Sequence, residues 1–308
     1  MSLHRLMGFT SAVPDPDAVV AYYAEMGLVG DPVAGFSGSD GGTAVRVDEA
    51  AVRRLRRVEV GCESEHDVAK ISQRLVDGGA VLTSGSDELL VVDPSTEIEF
   101  VVRVAGAAPV PAPATLHPVN APGSTPRANR RAPAVFEGPR APRRLGHLVI
   151  GTPNHTGTRD LLVDGLGFKV SDEVEGIICF LRCSSDHHNV ALVESPVPLL
   201  QHYSWECDDV DHAGHSATKL LRTDPERQTW GMGRHFAGSN FYWYLRDPAG
   251  SYVEFYADMD QITDDAAWDA AGRTPFDFEH VANSWGPDIP LEFIVPPDLE
   301  ELQASWGR

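Results

Sequence analysis

The sequence predicts an α+β protein of two related modules. Three observations carry that reading. The chain has 308 residues, enough for two domains of roughly 150 residues each. One proline-rich stretch interrupts it. Three passages before that stretch recur after it in the same order. Composition narrows the class further. Hydrophobic residues make up 42% and charged residues 23%, which suits a globular chain rather than a disordered or fibrous one. Acidic residues number 45 and basic residues 25, for a net charge of −20. That balance argues against nucleic acid, whose phosphates need clustered Lys and Arg, and against an anionic membrane surface. No apolar run reaches the roughly 18 residues of a membrane span. The N-terminus lacks the apolar stretch of a signal peptide. Cys62, Cys179, Cys183 and Cys207 are too few for a disulfide framework. The expected setting is the cytoplasm, with free and mostly buried thiols.

The first module, residues 1–105, opens LMGFTSAVPDPDAVVAYYAEMGLV, a strand, a turn, an amphipathic helix and a glycine stop. The second, residues 144–270, opens RLGHLVIGTPNHTGTRDLLVDGLGFKV in the same way; placing Gly8 on Gly146 also places Gly27 on Gly165. Next, RRVEVGCESEHDVAKISQRL pairs with QHYSWECDDVDHAGHSATKLL, Cys62 on Cys207, each an alternating strand followed by a helix. Finally VVDPSTEIEFVV pairs with LRDPAGSYVEFYA, an Asp-Pro turn leading into a strand. Internal duplication is the simplest account. Between the modules, residues 106–143 form a Pro/Ala/Arg-rich connector. Proline fixes φ and removes a donor, so neither a helix nor a central strand can run through it, and an extended, partly polyproline II linker follows. Residues 271–308 form an acidic tail.

Six of the 12 histidines fall between His187 and His235, a clustering that suggests metal or acid–base chemistry. His147 sits in the strand LGHLVI, His202 in QHYSW and Glu254 in SYVEFY. Strand alternation turns all three toward the concave side of a curled sheet. A buried carboxylate needs a cation, and two imidazoles with one carboxylate are the facial set that leaves positions open on Fe(II) or a similar ion. The corresponding positions of the first module are Phe9, Arg57 and Glu99, so that module is expected to be structural and metal-free.

At these residues the chain resembles the type I extradiol, ring-cleaving dioxygenases of the vicinal oxygen chelate superfamily. GRHFAGSNFYWYLRDPAGSYVEFY is similar to that family's signature, a Gly-x-His, then Tyr, then Asp-Pro-x-Gly, then the ligand Glu. DHHNVALVESPVPLLQHYSWE resembles its His-x-Val-Ala-Leu run leading to a ligand His. The resemblance implies paired βαβββ units in each module, curling into an open, barrel-like sheet. It implies metal ligands His147, His202 and Glu254 for Fe(II), with Mn(II) the alternative ion. His188 would be the acid–base residue beside oxygen, and His235 and Tyr244 would orient and deprotonate a catechol. Substrate and O2 would be the partners, in a homo-oligomer. Trp243 departs from the pattern, where a smaller residue is expected. Two rivals stand beside this reading. One is a glyoxalase-like isomerase or lyase, which would not need His188, His235 and Tyr244 together. The other is a metal-free binding protein, which would need no ligands.

Other features carry less. His212 and His215 fall on a helix expected to face solvent, and Cys179 and Cys183 read as core thiols. The connector arginines Arg127, Arg130, Arg131, Arg140, Arg143 and Arg144 could suggest nucleic acid, but an internal or intersubunit acidic partner fits at least as well, since the chain from Tyr256 onward carries 12 acidic and two basic residues. Trp205, Phe236, Phe241 and Trp243 serve equally as an apolar pocket or as plain core.

Overall fold

The computed structural model describes residues 2–42, 44–106, 112–114, 117–271 and 283–306. Parts of the expected connector (107–111 and 115–116) and of the acidic tail (272–282 and 307–308) lie outside the described residues.

Each module forms one eight-stranded mixed sheet from two βαβββ units. In the first, β1 (Leu3–Val13), α1 (Pro16–Met26), β2 (Val29–Asp31), β3 (Gly35–Ser37) and β4 (Ala44–Glu49) make one unit. Then β5 (Arg54–Cys62), α2 (Glu65–Asp77), β6 (Leu82–Ser84), β7 (Glu88–Val92) and β8 (Glu99–Val104) make the other. The strands lie in the order β2-β3-β4-β1-β5-β8-β7-β6. The second sheet repeats this order as β10-β11-β12-β9-β13-β16-β15-β14. Its strands are β9 (Arg144–Thr152), β10 (Lys169–Val174), β11 (Ile178–Arg182), β12 (Val190–Glu194), β13 (Leu199–Glu206), β14 (Gln228–Arg234), β15 (Phe241–Arg246) and β16 (Tyr252–Ala257). Helices α3 (His155–Asp160) and α4 (Val210–Thr223) follow β9 and β13. The outer strands of each sheet do not pair, so both sheets stay open.

The duplication extends to the helix caps. Asp15 and Asn154 accept from Ala18 N and Gly157 N, while Ser64 and Asp209 accept from Asp67 N and His212 N. Such caps satisfy the orphan amides of a helix start. One hydrophobic core runs through both modules; Phe9 of the first meets Tyr203 of the second with ring centroids 5.2 Å apart.

The strand registers correct the residue-by-residue match. Gly8 faces Glu59 and Phe9 faces Val58, whereas His147 faces Ser204 and Leu148 faces Tyr203. With Cys62 on Cys207, Gly8 therefore occupies the place of His147, and Phe9 that of Leu148, pointing into the core. Arg57 pairs with Glu99 as His202 pairs with Tyr252, so Val101 occupies the place of Glu254. The helix stop shifts too. Gly27 (φ 89°) is matched by Gly167 (φ 92°), because the second helix widens into a π-helical turn, Leu161–Leu166, before it ends. One-residue slips of this kind invert a strand's faces. The first module's equivalents of the three ligand candidates are thus Gly8, Arg57 and Val101, and the side chains of two of the three offer no ligand atom at all.

Three of the six connector arginines pair with acids inside the fold, while Arg127 and Arg130 bond the carbonyls of Pro118 and Pro126. Arg140 and Arg143 reach Asp208 at 2.9 and 2.6 Å, Arg143 also holds Asp40 at 2.7 Å, and Arg144 bridges Asp186 and Glu206. His212 is buried rather than solvated and accepts from Asp208 N at 3.0 Å. The four cysteines are free and buried. Among the described residues no helix is long and apolar enough to cross a membrane.

Candidate active site

Three neighbouring strands bring the ligand candidates together. His147 on β9, His202 on β13 and Glu254 on β16 are all buried, and one ligand atom from each lies within 4.8 Å of the others. The β9–β13–β16 order and the register make this happen. His147 and Glu254 both lie opposite Ser204, and His202 is two residues along on the same face. Gly146 makes room beside them, because a Cβ there would stand 1.9 Å from Tyr256 Oη, and the Tyr256 ring packs 5.2 Å from that of His147.

The Glu254 carboxylate is fully buried. Its Oε2 accepts from Ser204 Oγ at 2.6 Å and lies 2.9 Å from His147 Nε2. Its Oε1 accepts from Asn240 Nδ2 at 3.0 Å and lies 3.6 Å from His235 Nε2. Burial alone would raise its pKa, but His147 and His235 outweigh that effect and hold it well below the usual carboxylate range. Burial pulls the His202 imidazole down to about 3, against the opposing pull of Glu254. His202 Nδ1 is oriented by Gln201 Oε1. An ionised carboxylate and a neutral imidazole are the protonation states a divalent ion requires of its ligands. The donor set therefore fits such an ion.

The remaining candidates surround this group. His188 lies beside His147, with ring centroids 4.1 Å apart. Burial and the nearby His147 and His187 rings lower its pKa well below the usual value. His235 Nε2 and Tyr244 Oη are 2.8 Å apart. Burial, then Glu254, pushes the Tyr244 phenol well above its usual value. His187 turns the other way, toward Asp172.

His147, His188, His202, His235 and Tyr244 floor a cavity of about 310 Å³ whose walls include Val149, Ile178, Phe180, Trp230, Ile289 and Phe293. The aromatic residues singled out from the sequence do not line it. Trp205 and Trp243 alternate with the inward Ser204 and Tyr244, so they face the helices and join the core. Phe241 instead packs beneath the Arg234 guanidinium at 3.9 Å. Trp243 therefore leaves the cavity's shape untouched. Sequence reasoning missed Trp230, Phe180 and the C-terminal Phe293, as well as Ser204 and Asn240 behind Glu254. Only Ser204 left a signal, its two-residue spacing from His202.

Residues 144–255 match the Glyoxalase/Bleomycin resistance protein/Dioxygenase superfamily. Metapyrocatechase 2 of Cupriavidus necator is 34% identical over 257 residues, covering 81% of this chain and 77% of that protein. An iron-dependent extradiol dioxygenase of Rhodococcus jostii is 26% identical over 160 residues, covering 47% of this chain and 51% of that protein. Among solved structures, the Mn(II)-bound glyoxalase of Novosphingobium aromaticivorans superposes with a TM-score of 0.71 at 25% identity, covering 94% of this chain and 93% of that one. With one residue in three shared with metapyrocatechase 2 across most of both chains, and the duplicated fold beneath that identity, this chain belongs to the extradiol ring-cleaving dioxygenases of the vicinal oxygen chelate superfamily.

Proposed function

We propose that the protein is an Fe(II)-dependent extradiol dioxygenase that opens an uncharged, apolar-substituted catechol next to its diol. The observation that carries this reading is the buried His147–His202–Glu254 group, whose two imidazoles line an apolar cavity with the carboxylate just behind them. Bound to these three residues, Fe(II) supplies open positions for the two catechol oxygens and O2 and lowers the pKa of a bound hydroxyl. His235 and Tyr244, already hydrogen-bonded to each other, hold a catechol hydroxyl and take part in moving its proton. Tyr244 stays protonated at neutral pH and donates. His188, neutral and next to His147, carries a proton between substrate and oxygen, a role worth about 10²–10⁴ in rate for a well-placed group.

The substrate class follows from the walls. Among the described residues no Lys or Arg lines the cavity. Arg234 and Arg246, the two basic residues of the signature stretch, pair with Asp258 and Glu292. An alkyl or aryl substituent suits the aliphatic and aromatic side chains, as in 2,3-dihydroxybiphenyl or an alkylcatechol. Iron is the metal in the name of the Rhodococcus jostii relative, whereas a Geobacillus extradiol relative is manganese-dependent, so Mn(II) stays the alternative ion. The His235–Tyr244 pair has no task in a glyoxalase-type isomerisation. In this reading the second module is catalytic, the first structural, and the enzyme a cytoplasmic homo-oligomer, which light scattering would test for its mass. The deciding experiment is anaerobic loading with Fe(II), addition of a catechol panel, then air. Oxygen uptake and a yellow ring-opened product are expected; neither signal with any catechol would overturn the reading.

A further inference from the structure

The mechanism uses His188 but not the groups behind it. On the side away from the cavity runs a buried polar chain. His187 Nδ1 lies 3.1 Å from His188 Nδ1, and His187 Nε2 lies 2.7 Å from Asp172 Oδ2. Asp172, His187 and His188 are 4%, 0% and 4% exposed. Phe180 packs against both imidazoles, at 5.6 and 5.1 Å between ring centroids, and Trp268 closes on His187 at 5.6 Å. The His187 backbone N–H donates to Asp260 O at 2.9 Å, which anchors the ring between its two partners.

Such a chain has a direction. A carboxylate only accepts, so His187 Nε2 carries the proton that faces Asp172. A neutral imidazole has one donor and one acceptor, so His187 Nδ1 is bare. The contact with His188 then needs a donor, and His188 Nδ1 supplies it. The nitrogen left for the cavity that His188 lines is a bare Nε2. We propose that Asp172 and His187 are positioning residues that hold His188 as its Nδ1-protonated tautomer, with the Nε2 lone pair available to the reacting centre. His188 then enters the reaction as a proton acceptor. It takes a proton from the bound catechol and only afterwards returns it; the opposite tautomer would present an N–H where an acceptor is required. The catalytic consequence rests on the function proposed above, while the tautomer does not.

The test is 15N NMR of the full-length, 15N-histidine-labelled protein loaded with diamagnetic Zn(II), with His188 signals assigned by their loss in His188→Gln. Protonated and bare ring nitrogens separate widely in 15N shift. The expected spectrum has a protonated Nδ1 and a bare Nε2 on His188. His187→Phe and, separately, Asp172→Leu should abolish that single tautomer. In the Fe(II) enzyme each should lower kcat by about 10–100-fold, the usual cost of losing an orienting partner, with KM for an alkylcatechol changed by less than about threefold. A wild-type His188 protonated at Nε2 overturns the proposal, and so does a pair of variants that keep both tautomer and kcat. The wild-type spectrum decides even if a variant fails to fold. A protein that cleaves no catechol yet shows the expected tautomer would overturn the proposed function and leave this assignment standing.

Discussion

The two sheets have the same strand order and bend, yet their concave faces are chemically opposite. In the first, the inward positions carry ion pairs: Arg46 with Glu59 at 3.2 Å, Arg103 with Glu88 at 2.6 Å, and Arg57 with Glu99 at 2.6 Å. Both side chains of the last pair are more than a third exposed. In the second, the same rows carry imidazoles, Ser204 and Glu254 beneath an apolar roof. Part of that roof comes from outside the sheet, in the short helix Leu291–Ile294, whose Phe293 packs 4.7 Å from Tyr244 and 5.0 Å from Trp230. Arg53 of the first module bonds Asp298 at 2.6 and 3.0 Å just beyond this helix. The fold supplies three convergent strands in both sheets, and the side chains placed on them decide which becomes a reactive site. Glu59 of the first face is buried too, but guanidinium groups of Arg46 and Arg103 hold it, whereas Glu254 is sealed among imidazoles and the hydroxyl of Ser204.

The largest changes are expected where the second face is made to resemble the first. His202→Ala should abolish bound metal and bring turnover to background, read by metal analysis and oxygen uptake. Full iron content in this variant would remove His202 from the ligand set. His188→Ala should separate binding from chemistry, keeping the metal while turnover falls by about 10²–10⁴. Unchanged turnover would end its acid–base role.

Smaller effects are expected behind the ligands. Ser204→Ala removes a 2.6 Å hydrogen bond to Glu254, and metal affinity should weaken about 10–100-fold; titration with a competing chelator reads this directly. Acid should also find the second sheet first. His202 titrates at about 3 in the fold against an ordinary value of about 6.5. Above pH 6.5 it is neutral in both folded and unfolded chains. Below that the unfolded chain binds a proton that the fold refuses, so stability falls as pH falls, by at most about 1.4 kcal/mol per pH unit for each such group. His188, lowered for the same reason, acts in the same direction. The melting temperature of the metal-free protein should therefore decline from pH 7 to pH 5, and a flat profile would contradict the burial argument.

Much of this contrast was legible in the sequence. Alternation alone turned His147, His202 and Glu254 to one side, and the repeated strand–helix–strands order announced the duplication. What escaped were features that alternation does not encode. The bulge at Gly146 has its counterpart at Met7, while the π-helical turn at Leu161–Leu166 adds a residue to the second module alone, so pairing Gly8 with Gly146 and Gly27 with Gly165 puts Phe9 against His147 although the register puts Gly8 there. Trp243 and Trp205 face outward by the same alternation that turns Tyr244 and Ser204 inward. Phe293 and Trp230 reach the cavity through tertiary packing, which no local period reveals.

The first sheet should tolerate change at the equivalent place. Arg57 is the positional counterpart of His202, and its ion pair with Glu99 is half in water. Exposed pairs of this kind contribute about 0–1 kcal/mol, because solvent screens the attraction and two long side chains lose freedom to make it. Arg57→Met keeps most of the aliphatic stem and removes the charge. It should change unfolding free energy by less than about 1 kcal/mol, as measured by urea denaturation, and leave iron content, kcat and KM at wild-type values. Loss of iron or of turnover from so distant a substitution would mean that the first sheet does more than support the second. Equal indifference in His202→Ala would mean that neither concave face is the active one.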